Sequence, residues 1–279
     1  MLEEKKKSLP LVSIVTVTFN AIDTIEKTIL SVINQDYPNI EYIIVDGGSN
    51  DGTLDIIKKY ENRLSKWISE KDEGLYDAMN KGLRMATGTW ISFKNSGDYF
   101  AEKKSLSKLF SDLIPEDVAF IYADCYRITE WGWKIEKPKD LSLYKEVMPV
   151  IHPATFVRTS YHKKHPFDTR YRVCADYGLV FNAINEGEKF LYRPFPIVIF
   201  PTGGFSTLHW EDSYWGGLSI AGKLSTTSQR LFFHFKFYSL KFEHFIKDKL
   251  KKIPFVKRHW DRSQSKRYKS LPLPIEKFY

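Results

Sequence analysis

Two cysteines in 279 residues, Cys125 and Cys174, leave no basis for a disulfide framework and fit a reducing, cytoplasmic setting. They stand 49 positions apart with no pair of histidines nearby, so a Cys/His zinc site is excluded as well. No run of about 18 apolar residues occurs, and no membrane-spanning helix is expected. The N-terminal stretch MLEEKKKSLPLVSIVTVTFN mixes acids and lysines, is interrupted by Ser13, Thr16 and Thr18, and has no small-residue cleavage site. It is expected to be a polar tail entering a strand, not a signal peptide. The common phosphate cradles are missing too. There is no G-x-x-x-x-G-K-[ST] and no G-x-G-x-x-G after a strand, which disfavours a Walker-type nucleotidase and a nicotinamide enzyme. Internal repeats and low-complexity segments are absent.

What is present is a chain that is 43% hydrophobic and 15% aromatic, enough for one sizeable core and against disorder. The net charge of +8 is unevenly spread. Residues 221–279 carry 15 Lys/Arg against 4 Asp/Glu, and the remainder carries 27 against 30. A nearly neutral body with a basic tail implies contact with an anionic surface, either nucleic acid or membrane.

The first hundred residues alternate strand and helix signals. Residues 11–18 predict a buried strand. Residues 21–35, with Ile22, Ile25, Ile29, Val32 and Ile33 at helical spacing, predict a helix. Strands at 41–45, 67–69 and 90–93 alternate with helices at 53–60 and 74–87, the last stopped by Gly88. That order predicts βαβ units and a parallel sheet. Residues 101–220 are less regular: extended runs at 120–123, 151–158, 190–192 and 197–200, and a helix at 176–184.

In an open α/β sheet, ligands sit beyond the carboxyl ends of the strands. Three polar loops fall there: Phe19-Asn20, Asp46-Gly47-Gly48-Ser49 and Asn95-Ser96-Gly97-Asp98. The last ends a buried strand with a lone acid on a glycine-containing turn. By itself that is an ordinary surface turn; in company with two other loops on one edge it is a candidate ligand site.

The stretch VSIVTVTFNAIDTIEKTILSVINQDYPNIEYIIVDGGSNDGT resembles the start of family-2 glycosyltransferases of the GT-A fold. SEKDEGLYDAMNKGLRMATGTWISFKNSGDYF resembles the following segment in bacterial members that make surface polysaccharides. IHPATFVR, FDTRYRVCADYGL and GGFST are similar to the acceptor half of that subgroup, so the resemblance runs over about residues 10–207. It implies an α/β, Rossmann-like, mostly parallel central sheet flanked by helices over 1–220, with a helical basic extension over 221–279.

The resemblance also implies roles. Asp46 would accept from the base of a nucleoside diphosphate sugar, and an acceptor-only carboxylate suits the N3–H of uracil; its alternative is capping the Gly-Gly turn. Thr18 and Asn20 would border the same nucleoside, with Asn20 equally suited to cap the next helix. Asp72 matches a second acidic position near the ribose and base, or an N-cap. Asn80 and Lys81 match an Asn-Lys-Gly run in which the lysine supports the diphosphate; a lone helix lysine is otherwise solvated. The family's metal motif is usually Asp-x-Asp and holds Mn²⁺ or Mg²⁺. No Asp-x-Asp occurs in this sequence, and only Asp98 remains as metal ligand, with Asn95 and Gly97 toward the donor. One carboxylate can suffice when phosphate oxygens complete the shell. Asp176 matches the catalytic base of a single inverting displacement, or an N-cap. His152 lies where the family places a histidine by the acceptor, or is structural. Gly203 and Gly204 would form a lip over the acceptor pocket.

In residues 231–250, Leu231, Phe235, Tyr238, Phe242, Ile246 and Leu250 form one helical stripe with lysines off it. A basic amphipathic helix rich in aromatics reads as membrane-interfacial; packing on the body or on another subunit is the alternative. The expectation is therefore an inverting glycosyltransferase at the inner face of the cell membrane. It would use a UDP-sugar donor and a lipid-diphosphate-linked saccharide acceptor, in surface-polysaccharide or O-antigen synthesis. The rivals are a nucleic-acid-binding protein, for which no recognised motif accompanies the charge, and a catalytically weakened family member.

Overall fold

The computed structural model describes residues 9–269. The polar N-terminal tail, residues 1–8, and residues 270–279 of the basic extension lie outside the described residues. Through the first ninety-odd positions the chain runs β1 (Val12–Thr18), α1 (Ile25–Ile33), β2 (Ile40–Asp46), α2 (Thr53–Lys59), β3 (Lys66–Ser69), α3 (Leu75–Met85) and β4 (Trp90–Phe93). It continues with β5 (Tyr99–Phe100), α4 (Ser105–Leu109), β6 (Val118–Thr129), β7 (Gly132–Glu136), β8 (Thr155–Arg158), α5 (Thr159–Lys164), α6 (Ala175–Asn185) and β9 (Lys189–Pro201). Four helices close it: α7 (Phe205–Leu208), α8 (Trp210–Ile220), α9 (Thr227–Lys251) and α10 (Pro254–Ser265).

The strands form one sheet in the order β3-β2-β1-β4-β8-β6-β9-β5, with β7 hairpinned onto β6. The first four are mutually parallel, as the alternating pattern predicts. Beyond β4 the sheet is mixed: β8 runs antiparallel to β4 and β6, and β9 runs parallel to β6. Every residue of β1 is buried because helices cover both faces. Val12 and Ile14 pack on Ile25, Ile29 and Val32 of α1 on one face, while Val15 and Val17 pack with Met79 and Leu83 of α3 on the other. Helix α3 lies close because Gly82 faces β1; a Cβ there would collide with Val15.

The irregular second half departs from its expected elements for local reasons. The extended run expected over 151–158 is a 3-10 turn at His152–Ala154 followed by β8, since Pro153 has no N–H for a ladder. The runs at 190–192 and 197–200 are one strand, β9, whose register on β6 shifts near Pro194 and Pro196. The short strand at 120–123 is the buried part of the longer β6.

Helix α9 starts with a capping box between Thr226 and Gln229. It is pinned to α8 by Phe237, whose ring lies 5.1–5.5 Å from those of Trp210, Tyr214 and Trp215. The chain then returns to the β6–β7 hairpin, where Trp133 and Lys269 exchange backbone hydrogen bonds of 2.9 and 2.7 Å. The extension thus touches both α8 and the hairpin. Among the described residues no helix is long and apolar enough to cross a membrane.

Candidate functional site

Parallel registry places Thr18 beside Asp46, and Asp46 beside Ser69, at the carboxyl ends of β1, β2 and β3. Of the strand-end loops, those after β1 and β4 border a cleft of ≈ 1180 Å³, and the loops after β2 and β3 do not line it. Into this cleft open Thr18, Asn95, Gly97, Asp98, His152, Asp176 and Gly204. Seven expected site residues from distant segments thus meet in one place.

Four others are placed differently. The carboxylate of Asp46 is fully buried and accepts from Gly48 N (3.0 Å), Ser49 N (2.9 Å), Ser49 Oγ (2.5 Å) and Ser69 Oγ (2.7 Å). Three of these bonds serve the turn and the fourth ties it to β3. Asn20 has a left-handed φ of 45°, which asparagine tolerates. Its N–H donates to Ser49 Oγ and its Oδ1 accepts from Asn50 N, so it ties two loops together and does not cap α1. Lys81 donates to the Lys71 carbonyl and pairs with Glu70 at 2.9 Å and Asp77 at 3.5 Å; the Glu70 contact holds its pKa above the ordinary value. Asp72 accepts from Gly74 N at 2.9 Å, and it does not cap α3, which begins after Gly74. Its carboxylate and the Phe19 ring close on Gly47, where a Cβ would lie 2.4 Å from Asp72 Oδ2. Phe19 is 61% exposed there.

The metal-motif turn is tightly built. Asp98 N donates to Asn95 O at 2.8 Å, Asn95 N to Asp98 Oδ2 at 3.2 Å, and Gly97 N to Thr28 Oγ1 at 3.0 Å. Gly97 adopts φ +100°, a conformation costly for other residues. Burial pushes the Asp98 carboxyl up to about 7, against the attraction of Lys94. Lys94, missed in the sequence, is fully buried between the rings of Phe100 and Phe156 and donates to Ser92 Oγ at 2.6 Å. Burial brings its ammonium down to about 7.

Three buried oxygens here have no partner: Thr18 Oγ1, Asn95 Oδ1 and Ser96 Oγ. Buried polar atoms are normally satisfied, so such a cluster points to a ligand. Among the described residues no three His, Cys, Asp or Glu converge to enclose a metal ion. The donor set is one carboxylate and an amide oxygen. It fits a hard cation that draws the rest of its shell from phosphate and water.

On the facing wall, Asp176 sits in the first turn of α6, just after Cys174 at φ +79°. Tyr76 donates its hydroxyl to Asp176 Oδ1 at 2.8 Å. Helical spacing with Met79 and Leu83 marks Tyr76 as buried, but nothing in the sequence names its partner. His152 stacks on Phe93 at 6.1 Å and 18°, and burial lowers its pKa, leaving a neutral ring beside Asp176. Gly203 and Gly204 form the rim before α7 with open space around them.

The family model for glycosyl transferase family 2 matches residues 13–173. The chain is 32% identical over 176 residues to a PGL/p-HBAD biosynthesis glycosyltransferase of Mycobacterium bovis (strain BCG / Pasteur 1173P2), covering 60% of this chain and 67% of the relative. It is 36% identical over 131 residues to the putative teichuronic acid biosynthesis glycosyltransferase TuaG of Bacillus subtilis (strain 168), covering 46% and 52%. Among solved structures, S. aureus TarS 1–349 in complex with UDP-GlcNAc aligns with TM-score 0.59 at 19% identity, over 70% of this chain and 59% of that one. The mannosyltransferase PcManGT of Pyrobaculum calidifontis, in complex with GDP-Man and Mn²⁺, aligns with TM-score 0.59 at 18% identity, over 75% and 62%. At those identities the two structures establish a shared fold. This chain spans about half to two thirds of the length of each.

Proposed function

The chain belongs to glycosyl transferase family 2, and from that premise we propose that it is an inverting enzyme moving a sugar from a UDP-sugar to a lipid-diphosphate-linked saccharide, in bacterial surface-polysaccharide synthesis of the O-antigen type. The observation that carries this is the opening of Asp98 and Asp176 into the same cleft at the carboxyl ends of the parallel strands. Bound nucleotide sugars in the two solved neighbours support a nucleotide-sugar donor.

The donor's nucleoside would lie against the exposed ring of Phe19 at the edge of the cleft, where Thr18 Oγ1 is free to bond it. Asp46 acts on the donor through the turn it organises, and Asn20 and Lys81 by holding the neighbouring loops. Asp98 and Asn95 Oδ1 would hold Mn²⁺ or Mg²⁺, which when bound offsets the negative charge of the donor diphosphate. Gly97 keeps those two groups on one turn. Asp176 takes the proton of the acceptor hydroxyl as its oxygen attacks the anomeric carbon, and Tyr76 keeps the carboxylate oriented. His152 and Gly204 border the acceptor. The exposed apolar face of α9 attaches the enzyme peripherally to the inner face of the cell membrane.

A thermal-shift panel of nucleoside diphosphates and nucleotide sugars, with and without Mn²⁺, tests the assignment. A shift confined to uridine compounds and dependent on the metal is expected. Absence of a shift with every nucleotide would overturn it.

A further inference from the structure

The cleft also carries charged side chains that the donor and the base do not use. Five lysines line it: Lys137 and Lys139 after β7, Lys145 in the following 3-10 turn, Lys223 after α8, and Lys236 on α9. None of the five has an ion-pair partner among the described residues, whereas Arg127, which also lines the cleft, is paired with Glu136 at 2.8 Å. The charges that act on Asp98 are Lys94 and Arg127, and those acting on His152 are Asp176 and Lys94. None of the five is among the groups that act on Asp98 or His152. Glu136 and Glu146 line the same cleft, but Glu136 is paired with Arg127, so the lysines outnumber the carboxylates left to face them and give the cleft a positive potential that favours an anion.

Helix α9 adds the second half of the argument. Phe233 and Lys236 line the cleft, while Leu231, Phe235, Tyr238 and Phe242 of the same helix are 64–79% exposed. One helix thus gives a cationic, aromatic wall to the cleft and an uncovered apolar face to the outside. A molecule that is anionic at one end and apolar at the other matches both.

We propose that Lys223 and Lys236, with Lys137, Lys139 and Lys145 of the same cleft, form a binding subsite for the diphosphate of a lipid-diphosphate-linked acceptor, whose lipid leaves along Phe233 and the apolar face of α9. The subsite deepens the glycosyltransferase assignment and rests on it. It orients the saccharide end of the acceptor toward Asp176 and leaves the lipid outside the cleft.

The test uses the full chain without divalent cation, titrated with farnesyl diphosphate, inorganic pyrophosphate and farnesol. The Lys223→Gln/Lys236→Gln variant is compared with the unaltered protein. Both side chains are partly or fully exposed and outside the catalytic machinery, so the fold is expected to persist. Farnesyl diphosphate is expected to bind more tightly than either half-molecule. The double variant is expected to lose about tenfold in affinity for each lysine removed, a charge-assisted contact being lost at each position. Binding is also expected to weaken with added salt. Unchanged affinity in the variant would overturn the subsite, and equal binding of pyrophosphate and farnesyl diphosphate would overturn its lipid-linked ligand. The UDP/Mn²⁺ thermal shift of the same two proteins separates the failures. If the shift persists and the lysine effect is missing, the subsite falls. If the unaltered chain gives no nucleotide shift, the glycosyltransferase assignment falls.

Discussion

Tyr76 on α3 and Asp176 on α6 are one hundred residues apart and joined by a 2.8 Å hydrogen bond across the floor of the cleft. Burial and the neighbouring carboxylate push the Tyr76 hydroxyl well above its ordinary pKa, so it remains a donor throughout the working range. The hydroxyl therefore holds the Asp176 carboxylate in one orientation. Replacing Tyr76 with Phe is expected to lower kcat about tenfold with donor binding unchanged. An unchanged kcat would show that this hydrogen bond does not position Asp176 for turnover.

Asp176→Asn is the direct counterpart. The amide cannot take the acceptor's proton, so kcat should fall by about 10²–10⁴ while the thermal shift with UDP and Mn²⁺ is retained. Near-normal turnover in this variant would remove Asp176 from the mechanism.

The buried charges of the metal turn give a pH dependence with a definite sign. Asp98 is raised from 3.8 to about 7, so its contribution to folding stability is present below pH 3.8 and is lost as pH rises through 7. Lys94 is lowered from 10.5 to about 7, so its contribution is present above pH 10.5 and is lost as pH falls through 7. These two groups together should give the metal-free chain a stability minimum near pH 7, readable in Tm against pH. A cation at Asp98 must displace a proton below that pH. The UDP-dependent affinity for Mn²⁺ should therefore rise about tenfold per pH unit up to about 7 and then level off. In Asp98→Asn that rise should vanish; its persistence would place the cation elsewhere.

How much of this was legible depended on the physics behind each feature. The strands β1, β2 and β4 and the helices α1 and α3 were readable because each buries a face at the period of its own backbone. The meeting of Asp98 and Asp176 followed from the rule about strand ends together with the family resemblance. Three things did not follow. Lys94 looks like an ordinary polar residue after a strand, and only the sheet shows it enclosed by Phe100 and Phe156. The partners of Asp46, Ser49 and Ser69, combine a local turn with a strand two elements away, and sequence distance hides the second. The pinning of α9 by Phe237 was invisible because Phe237 lies among many exposed aromatics of the same type.

Asp46→Asn separates two roles for a residue whose carboxylate accepts four hydrogen bonds, three from its own turn and one from Ser69 of β3. An amide in its place turns an NH₂ toward groups that are themselves donors, leaving buried polar groups unsatisfied. A stability loss of about 3 kcal/mol is expected, a fall in Tm of roughly 6–12 °C for a chain of this size. Retained stability with loss of the UDP shift would instead mean that Asp46 turns toward the base when the donor binds.

The exposed face of α9 can be tested without disturbing the body. Cutting the chain near residue 220 would uncover Trp210, Tyr214 and Trp215, which Phe237 now covers, so a truncated protein would confound membrane loss with damage to α8. Phe235 and Phe242 are 79% and 65% exposed and contribute little to the fold. Each would bury roughly 2 kcal/mol of apolar surface in a bilayer interface, which corresponds to more than tenfold in partitioning. Phe235→Ser/Phe242→Ser should therefore fail to float with vesicles containing phosphatidylglycerol while keeping the Tm of the unaltered chain. High salt should release the unaltered chain as well, since the lysines beside the stripe act through the anionic headgroups. Equal flotation of both proteins would refute the membrane contact. A concentration-dependent dimer abolished by the same two substitutions would assign this face to a second copy of the chain.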